Sequence, residues 1–302
     1  MKNLLYIILI SLLLFGCTKY IEFDSETKRS KIVVNGFVQN NEPASVHISR
    51  SLSIIDDASL IVIDNAEVKL YNGAGDFLEL LHLFGDTINV TENYGLYQGD
   101  LFLDENDEYK IEVSVPSYES VSSKTKIPKY NLVQTSPLDT LSSSNSEFGE
   151  SITNFTFHFS DNGNEENYYG IKAYGLNQFE SESIEIWITT EDVSVDVNWG
   201  NEILFTDNFF NGSSYDLNLK LSTIYYGPPI SDSLIIGNIK FDSIRFEMNS
   251  YSRDMFLYRK SYQAYQSVNE FFSQPVQVYS NIENGLGVFG GIKEETFTIA
   301  IE

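Results

Sequence analysis

From residue 31 onward, apolar and polar residues alternate with a period of two through most of the chain. Ile32, Val33, Val34, Phe37 and Val38 form a compact apolar run ending near Asn40, Asn41 and Pro43, the pattern of a buried strand bounded by turn residues. Val46 and Ile48 share one parity. Ala66, Val68 and Leu70 alternate with Glu67 and Lys69, and Tyr109, Ile111, Val113 and Val115 alternate with Lys110, Glu112 and Ser114. Successive strand residues point to opposite faces, so each pattern places one row in a core and the other toward water. Short strands punctuated by Gly, Asn and Pro predict an immunoglobulin-like β-sandwich over residues 31–128.

The alternation lapses between Ile127 and Gly149, where Pro128, Pro137 and the run Ser142-Ser143-Ser144-Asn145-Ser146 predict a linker over 129–150. It resumes with Phe155, Phe157 and Phe159 against Thr156 and His158. Ile184, Ile186 and Ile188 then alternate with Glu185, Trp187 and Thr189, and Val193, Val195, Val197 and Trp199 with Ser194, Asp196 and Asn198. Leu217, Leu219 and Leu221, and later Ile244, Phe246 and Met248, keep the same period. One stretch departs from it: Met255, Tyr258, Tyr262, Tyr265 and Phe272 recur at helical spacing, with Ser250 or Ser252 as N-cap and Pro275 beyond the end. The expected fold is mostly β, with two sandwich-like domains. The first is immunoglobulin-like; the second, over 151–302, carries one amphipathic helix at 252–273.

The N-terminus follows different rules. Met1-Lys2-Asn3 is a short basic start and Leu4 to Phe15 is nearly continuous apolar sequence, about a dozen residues where a membrane-spanning helix needs roughly 20. That length predicts a signal peptide over 1–16. Leu14-Phe15-Gly16-Cys17 resembles the lipobox of bacterial lipoproteins, with the small Gly16 before the cysteine and the bulky Phe15 as a departure from the usual pattern. Cys17 is the single cysteine of the chain, so it forms no internal disulfide and is the expected lipidation site. Residues 17–30 read as a polar tether, and Thr18 after the cysteine leaves outer-membrane delivery as the expected route, to either the periplasmic or the cell-surface face.

Charge narrows the function further. A formal charge of −24 repels phosphate backbones and anionic lipid, which argues against nucleic-acid binding and leaves membrane attachment to the acyl chains on Cys17. Catalytic signatures are absent from the sequence: His47, His82 and His158 lie in separate segments, no Gly-x-Ser-x-Gly elbow occurs, and no thiol remains once Cys17 is lipidated. No catalytic residue, cofactor or metal is therefore expected. Asp104 to Glu108 and Asp161 to Glu166 lack EF-hand spacing and read as acidic turns. The glycines from Gly285 to Gly291 lead into a strand rather than a helix, which argues against a phosphate-cradling loop.

Trp187, with Glu185 and Thr189 beside it on the polar parity of its strand, is the candidate binding surface, since an exposed aromatic ring can stack on a sugar or anchor a partner. Trp199 shares the parity of three valines and is expected in the core. The triplets Asp86-Thr87-Ile88, Asp139-Thr140-Leu141, Asp232-Ser233-Leu234 and Asp242-Ser243-Ile244 resemble the O-glycosylation acceptor of Bacteroidetes extracytoplasmic proteins, making Thr87, Thr140, Ser233 and Ser243 candidate sites.

Several longer motifs carry a family resemblance. Phe159-Ser160-Asp161 with Glu166-Asn167-Tyr168-Tyr169, Phe205-Thr206-Asp207 through Asn211-Gly212, and Ser280 through Gly291 look like those of the domain-of-unknown-function 4249 (DUF4249) family of Bacteroidetes lipoproteins. Val33 to Gly36 and Asn65 to Val68 fit as well, so the resemblance spans nearly the whole mature chain. It implies a lipid-anchored envelope protein, frequently encoded with TonB-dependent outer-membrane receptors, and it supplies no ligand. The resulting expectation is a non-enzymatic binding or accessory protein at the outer membrane, with a TonB-dependent receptor as partner and a small molecule or glycan as an unidentified ligand. A glycan-active enzyme and a structural adhesion or envelope-assembly module are the alternatives.

Overall fold

The computed structural model describes residues 30–52, 61–84, 95–105, 107–129, 133–134, 139–145, 151–163, 165–176, 183–197, 199–222, 243–267 and 276–300. Cys17, Thr87 and Ser233 lie outside them. Among the described residues no helix is long and apolar enough to cross a membrane.

The chain is mostly β, with a single α-helix among the described residues. Its first part contains β1 (Ile32–Gln39), β2 (Ser45–Arg50), β3 (Ile61–Val62), β4 (Glu67–Asn72), β5 (Phe77–Leu83), β6 (Leu96–Gln98), β7 (Glu108–Ser114) and β8 (Val121–Lys126). There follow β9 (Val133–Gln134), β10 (Asp139–Asn145), β11 (Ser151–Ser160), β12 (Tyr168–Leu176), β13 (Ile184–Ile186), β14 (Ile188–Thr189), β15 (Val195–Val197), β16 (Trp199–Gly200), β17 (Ile203–Thr206) and β18 (Ser214–Ser222). The chain ends with β19 (Ser243–Tyr251), α1 (Arg253–Gln266) and β20 (Leu286–Ala300).

The last strand joins the two ends of the sequence. Leu286 to Ile292 of β20 run parallel to β1, while Ile292 to Ala300 run antiparallel to β19. One large sheet therefore passes from β15, β17, β12 and β19 through β20 into β1, β2, β6, β5, β4, β7 and β8. A smaller sheet runs β10, β11, β18, β14, β16. At the far edge, β8 meets the approach to β20 through a bridge between Ser122 and Glu283, whose amide donates to the Ser122 carbonyl at 2.8 Å. The N-terminal strands thus wrap around one interior. Ile32, Val34, Val38, Val46, Ile48, Val68, Leu70, Ile111 and Val113 fill it, joined by Ile282 and Phe289 from the far end of the chain.

The second interior lies between the two sheets and contains Phe155, Phe157, Phe159, Phe205, Phe210, Phe246 and Tyr169 with the leucines of β18. A third, smaller cluster forms where α1 covers the large sheet, around Leu204, Tyr251, Met255, Phe256 and Val288. The rows predicted as inward by alternation in β2, β4, β7, β11, β18 and β19 are the buried ones, because burying an aliphatic or aromatic side chain gives roughly 1.5–3 kcal/mol and fixes which face turns inward, whereas the apolar run of β1 buries Ile32, Val34 and Val38 and leaves Phe37 37% exposed.

Three local expectations differ from the structure. The stretch 129–150 contributes β9 and β10, both paired with β11. Serine, threonine and asparagine can occupy a strand whose ladder partner supplies the order, and they leave no apolar period to detect. Val193 is 87% exposed, apart from the half-buried Val195 and Val197. Asp192 captures the amide and hydroxyl of Ser194 at 2.8 and 2.7 Å, making a local turn, and the register of β15 against β17 shifts between Val195 and Val197, so one parity does not extend through this stretch. The side chain of Trp199 lies outside the described residues.

The third difference is the helix. Ser252 is its N-cap, accepting from the Met255 amide at 3.3 Å, but it buries Met255 and Phe256 and leaves Tyr262 and Tyr265 41% and 54% exposed. The apolar stripe is short because only the first turns lie against the sheet. Phe272 and Pro275 fall outside the described residues.

Candidate functional site

A cleft of about 360 Å³ lies where the strands of the N-terminal interior meet the start of α1 and the loop before β12. That volume is within the range of about 300–1,000 Å³ typical of small-ligand sites, which favour junctions between structural units. Its two walls carry opposite charge. On one side, Lys124, Lys126 and Lys129 stand against the single Glu108; on the other, Glu165, Glu166 and Asp254 stand against the single Arg253. Lys124 pairs with Glu108 at 3.5 Å within its own wall. The carboxylates of the opposite wall hold tyrosines: Glu166 and burial push Tyr168 up to about 12, and burial with the Asp254 bond pushes Tyr279 up to about 12. Lys126 and Glu165 form no ion pair among the described residues.

The acidic wall is held by residues that the sequence singled out as family motifs. Asp161 accepts from the Tyr169 hydroxyl, from Asn167 Nδ2 at 3.3 Å and from the Gly212 amide at 2.9 Å. Asp207, fully buried, accepts from the Asn167 amide at 3.0 Å and from Asn167 Nδ2 at 3.1 Å. Burial raises the Asp207 pKa against the lowering effect of those bonds, and burial together with Asp161 raises that of Tyr169 well above its ordinary range. Asn167 also lies 3.0 Å from the Asn162 and Glu165 carbonyls, so one side chain ties the loop bearing Glu165 and Glu166 to two distant strands.

Three residues that hold the acidic wall follow a buried phenylalanine by two positions. Phe159 precedes Asp161, Phe205 precedes Asp207, and Phe210 precedes Gly212. Phe159 lies 6.1 Å from Phe205 and 5.2 Å from Phe210, centroid to centroid. Burying the aromatic side chains positions the polar groups that follow them.

The floor of the cleft fastens the walls together. Ser252 Oγ accepts from Gly291 N at 3.0 Å and lies 3.2 Å from Thr125 Oγ1, while Ser252 N donates to the Gly291 carbonyl at 2.8 Å. Lys293 Nζ reaches the Lys129 carbonyl at 2.9 Å. The glycine motif makes this close packing possible. A Cβ on Gly291 would overlap the Lys126 carbonyl, and Gly287, at φ +100°, leaves no room beside the Val34 carbonyl. Under α1, Glu202 accepts from Arg259 Nε at 2.6 Å and from the Tyr251 hydroxyl. Burial opposes the charge on Arg259, but Tyr251 and Glu202 outweigh it and raise its pKa. This buried pair fixes the helix on the sheet.

The other candidates lie elsewhere. Glu185, Trp187 and Thr189 are exposed as expected, with Ile186 and Ile188 buried behind them. Trp187, 37% exposed, marks the point where the chain leaves β13, which pairs with β12 of the large sheet, and enters the small sheet through β14. Glu185 accepts from Asn201 at 2.8 Å, and burial raises its pKa. Thr140 is in β10 and Ser243 begins β19, both in paired backbone. His158 meets Asp216 at 2.7 Å, on another sheet from His47 and His82.

A second titratable group sits on β12, β19 and β20, where Lys172 lies 3.5 Å from Glu247 and Glu294 stands diagonally opposite Glu247 on the β19–β20 ladder. Burial and Glu247 push Glu294 up to about 7.

Sequence patterning missed the basic wall, although Lys124, Lys126 and Lys129 place three of the 19 basic residues within one short stretch of an acidic chain. The aligned tyrosines of α1 were read as its buried face. Instead only Tyr258 packs against the cluster under the helix, while Tyr262 and Tyr265 continue the row outward, the first two rings 5.9 Å apart and the last two 6.4 Å.

No curated protein matches this sequence. A family profile described as "Domain of unknown function (DUF4249)" matches residues 18–298, a span that takes in both cores, the cleft and every motif residue around it, and the chain belongs to the DUF4249 family.

Proposed function

We propose that the protein is a lipid-anchored outer-membrane binding protein that holds a ligand in its junction cleft and works as an accessory to a TonB-dependent receptor. The observation that carries the binding role is the preformed cleft with its oppositely charged walls and hydrogen-bonded floor. Sites that bind small molecules are concave and largely formed in advance, and this cleft is concave with a floor already hydrogen-bonded. Cys17 supports the anchor, with its preceding apolar run and small Gly16, and the family resemblance supports the receptor partnership. A binding role fits a site whose walls are held by hydrogen bonds while Lys126 and Glu165 keep exposed charges without an ion pair among the described residues.

The test is isolation of the mature protein from solubilised outer membranes, with co-purifying proteins identified by mass spectrometry. A TonB-dependent receptor should accompany the wild-type chain. The Cys17→Ser variant should lose both lipid and membrane sedimentation. Recovery of the lipidated protein without any such receptor would end the accessory reading.

A further inference from the structure

The opposed charges of the cleft restrict what it can hold. An anion placed between the walls meets Lys126 and Lys129 on one side but Glu165, Glu166 and Asp254 on the other. A simple cation meets the reverse arrangement. Either ion gains from one wall and is repelled by the other, whereas a molecule with separated opposite charges gains from both.

Direct attraction between the walls does not remove the cleft. Its floor is fixed by Thr125, Ser252 and Gly291, and Lys293 of β20 holds the Lys129 carbonyl of the basic wall in place, so the walls remain apart. Lys126 and Glu165, one on each wall, retain exposed charges without an ion pair among the described residues. The loop carrying Glu165 cannot readily swing away, since Asn167 binds it to Asp161 and Asp207.

Resting on the binding role proposed above, we infer that the cleft takes a small zwitterion, with a carboxylate or phosphate held toward Lys126 and an ammonium held toward Glu165. The free termini of a short peptide have this chemistry, and so does a phosphoethanolamine headgroup. The volume of about 360 Å³ suits a ligand of either kind.

Titration calorimetry on the mature chain distinguishes the sources and tests the class, using tri-alanine with free termini, its N-acetylated and C-amidated forms, and glycerophosphoethanolamine. At least one free zwitterion should bind. If that ligand is tri-alanine, blocking either terminus should weaken binding roughly tenfold or more, the loss of one charge-assisted contact. Lys126→Glu and Glu165→Lys should each weaken binding of whichever zwitterion binds by a similar factor without lowering Tm. The double exchange Lys126→Glu with Glu165→Lys should recover most of the affinity, because a zwitterion can bind the other way round. Failure of both free zwitterions to bind overturns the inference, as does equal binding of the blocked peptides or indifference to both substitutions. If no zwitterion binds while the receptor still co-purifies with the wild-type chain, the ligand class is wrong and the accessory role stands. If tri-alanine binds as described and no receptor co-purifies, the ligand class stands and the accessory role falls.

Discussion

Aliphatic side chains dominate the N-terminal interior, whereas the C-terminal interior sets six buried phenylalanines among its isoleucines and leucines, with rings in edge and tilted contact. The tyrosines of the first interior act as pins: Tyr97 bonds the Ile63 carbonyl and the Ala66 amide, and Tyr109 bonds the backbone of Asp104. In the second, the rings themselves set geometry, because Phe159, Phe205 and Phe210 each lead directly into a member of the polar group that holds the acidic wall. The first interior therefore supports a scaffold that tolerates changes of aliphatic shape, while the second transmits the positions of its rings to the cleft.

The largest effect should come from emptying the aromatic interior. Phe159→Ala is expected to cost about 3–5 kcal/mol and Ile111→Ala about 2–5 kcal/mol, by denaturant unfolding, since both side chains are buried. The discriminating observation is local: amide exchange in the loop 161–167 should rise in Phe159→Ala beyond what its stability loss explains and stay proportionate in Ile111→Ala. Equal local effects would remove the distinction between the two interiors.

Asp161→Ala should come next, at about 2–3 kcal/mol, because it deprives the Tyr169 hydroxyl and the Gly212 amide of their acceptor. It should also weaken capture in the cleft, although Asp161 itself is not among the residues lining it. Ser252→Ala is expected to cost about 1–2 kcal/mol, from the loss of the helix cap and of the floor contacts to Thr125 and Gly291. A loss limited to a few tenths of a kcal/mol would mean that the floor does not join the walls.

The smallest effect concerns pH. Glu294 has its folded pKa raised from 4.5 to about 7, so the folded state holds its proton more tightly than the unfolded state does. Its favourable contribution is full below the unfolded pKa and is lost as pH rises from about 4.5 through about 7. Glu294→Gln should flatten the fall of Tm across that window, with little change at pH 4. An unchanged slope would show that Glu294 and Glu247 do not share a proton.

How much of this was legible from sequence depended on the range of the forces involved. Alternation placed Ile111, Val113, Phe155, Phe157, Leu219 and Phe246 inward, because facing is a local property of a strand. The helix start was legible to within two residues, as a cap at Ser250 or Ser252, and the structure selects Ser252. The pairing of β20 with β1 was not, since residues at opposite ends of the chain meet there and no local period records it. The glycine motif was visible only as backbone freedom; its reason, close approach to Val34, Met255 and Lys126, needs three partners distant in sequence. The cleft is invisible for a related reason: its basic and acidic walls come from separate parts of the chain, and each alone reads as a solvated charge cluster. On α1, helical spacing located the tyrosine row but could not say that the sheet ends before reaching it.

The most direct test of the cleft as the working site compares the three candidate surfaces in place. A photo-cross-linking residue is introduced singly at Lys126, Trp187 or Tyr265 in the lipidated protein, intact outer membranes are irradiated, and the trapped partners are identified by mass spectrometry. The account predicts a TonB-dependent receptor trapped from position 126, at the mouth of the cleft, and little or none from positions 187 and 265. Trapping from 187 or 265 with none from 126 would contradict it.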